Sequence, residues 1–325
     1  MSEPRTVRTV EVTIDDQKVS VPDGATLLDA CNRLGIDTPT LCYGDTLTPA
    51  NACRVCMVEL EGARTLVPAC SRLAEDGMVI HTDSDRVRLN RKMVLELLDS
   101  SVDLSTTPIL EVYLERYEAA PERYGPPAPP DLEREHHRPG HHTVPDGQTA
   151  ATVAGPPKLD NELYMRDYSK CVLCYKCVDA CGEQHQNTFA IAIAGRGFDA
   201  HVSTEFTTPL PESACVYCGN CIQVCPTGAL MPSAEYELRE SGEWDKSRQH
   251  TTETICAFCG VGCSLELHVQ DNRIVKVMSP ADHDVTLGNL CVKGRFGFEH
   301  VQVLQAGPGG AADVAAPRDD DPPGG

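Results

Sequence analysis

Apolar and polar residues first alternate with the period of a strand. Val10, Val12 and Ile14 share one face, Asp15 to Lys18 form a polar turn, and Val19 and Val21 return, so residues 6 to 21 predict a β-hairpin. The period then lengthens. Thr26 stands where an N-cap should, with Asp29 three residues on, and Leu27, Leu28, Cys31 and Leu34 form a helical stripe that Gly35 can end. This helix is expected to cross the hairpin and to bury Cys31 as a small core residue. Val87, Leu89, Met93, Val94, Leu97 and Leu98 suit an amphipathic helix from Asp83 to Leu98. A second hairpin is predicted through Phe189, Ile191 and Ile193, a turn at Gly195-Arg196-Gly197, and a return from Phe198 to Phe206. A third runs through Leu265 to Val269 and Ile274 to Val277, turning on Gln270-Asp271-Asn272.

Between these segments the pattern lapses. Residues Glu118 to Pro157 include PPAPPDLEREHHRPGHH and predict a flexible, extended linker, in which His136, His137, His141 and His142 read as linker residues rather than metal ligands. After Gln305 the run AGPGGAADVAAPRDDDPPGG has the composition of a disordered tail. A length of 325 residues fits two or three domains, and an aromatic content of 5% with one tryptophan, Trp244, favours several small cores over one large one. The formal charge of −20 argues against nucleic acid and anionic lipid as partners. The start, MSEPRTVRTVEVTIDD, has no signal-like apolar segment, and no apolar run is long enough to span a bilayer. A cytoplasmic location is expected, where 17 cysteines are better read as metal ligands than as disulfides.

Their spacing carries the chemistry. Cys171-x2-Cys174-x2-Cys177-x3-Cys181 recurs as Cys215-x2-Cys218-x2-Cys221-x3-Cys225, the run that holds cubane iron–sulfur clusters. Three thiolates from one tight loop cover three corners of a cubane, and in two-cluster ferredoxins the last cysteine of each run ligates the other cluster. The expected quartets are therefore Cys171, Cys174, Cys177 and Cys225, and Cys215, Cys218, Cys221 and Cys181. Zinc is the competing reading of such cysteines, here and at the first site below.

The spacing Cys42-x10-Cys53-x2-Cys56-x13-Cys70 resembles the β-grasp 2Fe–2S domain at the start of the complex I large iron–sulfur subunit, of NAD-dependent formate dehydrogenase alpha subunits and of hydrogenases. That family usually carries a further site of one histidine and three cysteines, but no cysteine lies between Cys70 and Cys171, so that cluster is expected to be missing. The β-grasp domain should then dock directly on the double-cluster domain. Cys256-x2-Cys259-x3-Cys263-x27-Cys291 resembles the amino-terminal 4Fe–4S domain of molybdenum or tungsten bis-pterin oxidoreductases. There the lysine after the fourth cysteine lies between cluster and pterin, the place Lys293 occupies in CVKGRFG.

The resemblances imply an α+β, multidomain chain: a β-grasp 2Fe–2S domain with its closing helix at 1–100, a helical segment and linker at 101–160, a 2×[4Fe–4S] bacterial-type ferredoxin domain with a hairpin insertion at 161–235, a small β-rich 4Fe–4S domain at 251–305, and a tail at 306–325. One 2Fe–2S and three 4Fe–4S clusters use sixteen of the 17 cysteines and leave Cys31. The implied role is an electron-transfer subunit of a formate dehydrogenase-type oxidoreductase, between a separate molybdopterin (bis-MGD) subunit and a flavin/NAD subunit. No catalytic residue of its own is expected. The alternatives are a truncated formate dehydrogenase alpha subunit and a subunit of a hydrogenase or complex I-like diaphorase. The last leaves the segment from Cys256 to Cys291 without a purpose.

Overall fold

The structure is a computed structural model that describes residues 8–128, 140–142, 146–283 and 285–306; for 140–142, 154, 198 and 303–306 only the backbone is described. Two compact units emerge: Met1–Cys215 with Asn220–Met231, and Val216–Gly219 with Pro232–Gly325.

The first unit opens with a five-stranded sheet of β1 (Thr9–Ile14), β2 (Gln17–Pro22), β3 (Met57–Leu60), β4 (Val67–Pro68) and β5 (Val79–His81), in the order β2-β1-β5-β3-β4. β1 and β5 run parallel and their neighbours antiparallel. The predicted hairpin turns at Asp15 and Asp16, whose φ values of 46° and 65° suit a tight turn matched to the strand twist. Asp15 also accepts the Thr82 N–H at 2.8 Å, tying this turn to the end of β5. Helix α1 (Leu27–Arg33) begins with a reciprocal cap. The Asp29 N–H donates to Thr26 Oγ1 at 3.1 Å, and the Thr26 N–H donates to the Asp29 carboxylate at 2.7 Å. Its inner face, Leu27, Leu28, Ala30 and Cys31, packs on Val10, Val12, Val19 and Val21.

Helix α2 (Asp85–Ser101) starts on Ser84, but its buried face differs from the predicted stripe. Val87, Arg91 and Leu95 are buried, with Val94 and Leu98 beside them, while Leu89, Met93 and Leu97 are exposed. At about 100° per residue, Leu89 lies on the opposite side from Val87. The apolar positions thus formed two stripes, and the inner one packs with Leu110 and Tyr113 of α3 (Pro108–Arg116).

The linker expectation needs correction. A 3₁₀ turn spans Pro121–Tyr124, and β6 (Gly140–His142) pairs antiparallel with β7 (Thr152–Ala154), so part of this stretch is ordered by backbone hydrogen bonds. Gly125, at φ 85°, packs so closely that a Cβ there would lie 1.7 Å from the Gln148 oxygen. His136 and His137 lie outside the described residues, and His141 and His142 lie on β6, described by its backbone alone.

The double cysteine run sits among β8 (Tyr164–Arg166), α4 (Lys176–Cys181), β9 (Ala192–Ala194), β10 (His201–Ser203), α5 (Asn220–Val224) and β11 (Leu230–Pro232). β9 and β10 form the predicted insertion hairpin, with Ala194 opposite His201. β8 pairs with β11, and α4 packs on α5. This region also meets the loop that carries Cys42 and Cys53. The Thr48 N–H donates to Asp179 at 2.9 Å, Gln184 donates to Thr48 at 2.9 Å, and Lys170 pairs with Asp103. Leu41, Cys42, Cys53 and Cys174 share one apolar cluster.

The second unit contains α6 (Ser233–Glu240), β12 (Gln249–Ile255), β13 (Ser264–Gln270), β14 (Arg273–Met278), α7 (Val292–Phe296) and α8 (Phe298–Ala306). β13 and β14 are the predicted hairpin, turning on Asp271 and Asn272 at φ 50° and 63°. β12, absent from the sequence reading, is an edge strand exposed from His250 to Ile255. Leu265, Val277, Leu290 and Phe298 form the core beneath. No helix among the described residues is long and apolar enough to cross a membrane.

Candidate metal centre

Cys42, Cys53, Cys56 and Cys70 are all buried. Their side chains lie within hydrogen-bonding reach of one another: Cys42 meets Cys53 and Cys70, and Cys70 also meets Cys56. Cys53 and then Cys70 pull the Cys42 thiol down to about 2, and Cys70 brings Cys56 to about 7. The same contacts, with Cys42 first, push Cys53 and Cys70 up. Four sulfurs drawn from two loops and a strand end, all within reach of one another, fit a 2Fe–2S group, whose irons would take the place of the thiol protons. Left-handed residues Asn51 (φ 55°) and Arg54 (φ 56°) curl the loop so that the Val55 N–H reaches the Cys53 sulfur. Asn51 Oδ1 takes the Ser71 hydroxyl at 2.6 Å, fastening the loop beside Cys70.

A cavity in the first unit is lined by Cys171, Cys174, Cys177 and Cys225, with Tyr168 and Val202 among its walls. The last cysteine of the second run therefore faces the first three of the first run, and the donor set fits a cubane. Burial pushes the Cys171 thiol up to about 11, Cys174 up to about 12, and Cys177 well above the ordinary thiol value. The N–H groups of Leu173 and Lys176 oppose this at Cys171 and Cys174. Thiols so desolvated stay protonated unless a cationic iron core replaces the proton. The two runs also share backbone form. Leu173 (φ 50°) and Tyr175 (φ 68°) match Tyr217 (φ 55°) and Gly219 (φ 72°) at the same offsets, turning loop amides inward as an anion-binding concavity.

Of the other expected quartet, Cys215 and Cys221 flank Tyr164, whose hydroxyl lies 3.4 Å from the Cys215 sulfur. Burial, then Cys221 and Cys215, push that phenol up. Cys181 meets the Thr188 hydroxyl at 3.4 Å. Cys218 lies on the segment that belongs to the second unit, and there its carbonyl accepts from Arg295 Nε at 3.5 Å. Arg295 is buried and also donates to the Val277 carbonyl at 3.0 Å.

In the second unit Cys256 is buried, Cys263 is partly covered, and Cys259 and Cys291 are exposed. The Cys256 N–H donates to the Cys263 carbonyl at 2.8 Å. Burial first, then Cys256, Cys259 and Cys291, raise the Cys263 thiol, so all four sulfurs lie within electrostatic reach and fit one cluster. Lys293 is exposed in α7, two residues beyond Cys291. Among the described residues no group of three or more His, Cys, Asp or Glu side chains is spaced to hold a single metal ion. Arg91, Tyr164 and Arg295 were missed by the sequence reading. Only Arg295 carried a signal there, as part of CVKGRFG.

Three domain families match in the order the cysteines suggest. They are a 2Fe-2S iron-sulfur cluster binding domain over residues 7–85, a 4Fe-4S dicluster domain over 170–229, and a molybdopterin oxidoreductase Fe4S4 domain over 249–302. The chain therefore carries iron–sulfur domains of the 2Fe–2S and 4Fe–4S types. Among its relatives, an NADH-quinone oxidoreductase subunit of Rhizobium meliloti is 35% identical over 90% of this chain and 32% of its own length. The NADPH-Fe(3+) oxidoreductase subunit alpha of Geobacter sulfurreducens is 33% identical over 90% and 31%. The chain thus spans about a third of the length of these relatives. The fold is similar to a chain of an NAD+-reducing [NiFe]-hydrogenase, with a TM-score of 0.54 and 20% identity over 69% of this chain and 88% of that one.

Proposed function

We propose that the protein carries electrons singly through one 2Fe–2S and three 4Fe–4S clusters, between a flavin/NAD subunit at the β-grasp end and a molybdopterin subunit at the Lys293 end, as part of a formate dehydrogenase-type oxidoreductase. The ligands are Cys42, Cys53, Cys56 and Cys70; Cys171, Cys174, Cys177 and Cys225; Cys215, Cys218, Cys221 and Cys181; and Cys256, Cys259, Cys263 and Cys291. The observation that carries this reading is the cavity lined by three cysteines of one run and the last of the other. Beside it, Cys42 and Cys53 share an apolar cluster with Cys174, so two centres stand close inside one compact unit. Lys293 is exposed beside the fourth quartet, which supports its contact with a pterin edge supplied by the partner. The protein's part is to fix spacing and to tune potential through sulfur hydrogen bonds and burial.

A second reading, a subunit of a complex I-like diaphorase, is favoured by a specific observation. A match covering 90% of this chain extends through Cys256 to Cys291, and that relative is named an NADH-quinone oxidoreductase subunit. The segment therefore does not discriminate against that reading, contrary to the expectation from sequence. Purifying the complex and measuring iron, sulfide, flavin, pterin and molybdenum or tungsten separates the two. Pterin with formate-driven reduction of the clusters supports the formate reading, whereas NADH-driven reduction without pterin or formate response supports the diaphorase. Formate-dependent dye reduction by this chain alone would refute an electron carrier.

A further inference from the structure

The 2Fe–2S reading leaves one buried charge unexplained. Arg91, in the middle of α2, is 2% exposed. Its Nε donates to the Val55 carbonyl at 3.1 Å, one terminal nitrogen to the Met57 carbonyl at 3.1 Å, and the other to the Tyr117 hydroxyl at 2.8 Å. The guanidinium also lies over the Tyr117 ring, 5.4 Å from its centroid. Among the described residues no carboxylate pairs with it. Val55 and Met57 are the residues on either side of Cys56. The cation thus holds the carbonyls of the residues before and after one cysteine of the quartet, from the side that the helix covers.

A buried cation met only by neutral acceptors costs several kcal/mol unless an anion nearby offsets it. Four thiolates around two irons form such an anion, and reduction adds one more negative charge to it. From these contacts we infer that Arg91 is a positioning and potential-setting residue for the 2Fe–2S centre: its planar fork fixes the Cys53–Cys56 loop, and its charge favours the reduced cluster. A lysine keeps the charge but not the fork, and a methionine keeps neither. This rests on the ligand assignment above.

The test is redox titration of the 2Fe–2S EPR signal in the purified full chain for wild type, R91M, R91K and C56S. C56S should lose the signal; if it does not, the ligand assignment fails and the inference with it. In R91M the ratio of reduced to oxidised cluster at the wild-type midpoint should fall about tenfold, a shift of about 59 mV for one electron. R91K should stay within about twofold of wild type, since the positive charge remains near the cluster. R91M that holds its cluster and titrates with wild type overturns the inference, because a purely structural residue leaves the potential unmoved. Should R91M fail to assemble, R91Q carries the test, since it keeps an amide donor but not the charge: it must show the same tenfold fall, and an R91Q cluster that titrates with wild type overturns the inference.

Discussion

Arg91 shows what a side chain's identity conceals when only its neighbours in sequence are visible. In DRVRLNRKMVLELL it reads as one more charged position on a solvated face; only tertiary packing turns it inward to the cysteine loop. Glu235 was illegible for the same reason. Burial pushes its carboxyl up, but Lys276, at 2.9 Å, and Arg239, at 2.6 Å, outweigh this and hold it below the usual carboxylate range. A carboxyl depressed in the fold contributes stability above its unfolded value near pH 4.3, and that stability is lost as pH falls through the folded value. E235Q should therefore melt below wild type at neutral pH, and the two melting curves should converge on acidification below about pH 4. A difference that persists unchanged into acid would show that packing, not the ion pairs, makes Glu235 matter. Tyr175 and Gly219 add a different lesson. Both adopt positive φ at equivalent places in the two runs, but at Gly219 a Cβ would stand 2.9 Å from Arg295 Cγ, so only one of the two places demands glycine.

Among the elements, those whose pattern had one consistent period were legible. The hairpin of β1 and β2, helix α1 with its cap, and the hairpins at 192–203 and 264–278 all appear where alternation and turn residues placed them. Helix α2 was legible in extent but not in orientation, because apolar residues occupy two of its faces. Leu95→Ala should cost about 2–5 kcal/mol by opening a hole in the core, whereas Leu97→Ala, on the exposed face, should change stability by less than about 0.5 kcal/mol. Chemical denaturation of the two variants decides which face is structural, and equal losses would contradict the orientation. β12 escaped notice because an edge strand exposed on both faces has no alternation to read.

For the molecule as a whole, the cysteine spacings made the candidate sites legible before any coordinates, since a ligand loop is local in sequence. What spacing does not convey is how the centres differ in their surroundings. Cys225→Ser should remove one cubane signal from the EPR spectrum, and Cys291→Ser a different one, each leaving the 2Fe–2S signal in place. Loss of every signal in Cys291→Ser would show that the fourth quartet is not independent of the rest. The expected docking of the β-grasp sheet on the double-cluster region is met by the hydrogen bonds of Thr48 with Asp179 and Gln184, while the linker between them has more strand than its proline content suggested.

The contrast in burial between the quartets has a consequence in time. Cys42, Cys53, Cys56 and Cys70 are closed within the first unit, whereas Cys259 and Cys291 stand open. On the proposed assignment, iron and sulfide for the first centre are expected to enter before the core around these buried thiols finishes packing. The proposed quartet of Cys256, Cys259, Cys263 and Cys291, with two exposed thiols, is expected to be filled, stripped and refilled on the folded chain. On that assignment maturation and repair would follow different routes along one polypeptide: the 2Fe–2S centre would last as long as the fold around it, and the centre beside Lys293 would be open to replacement.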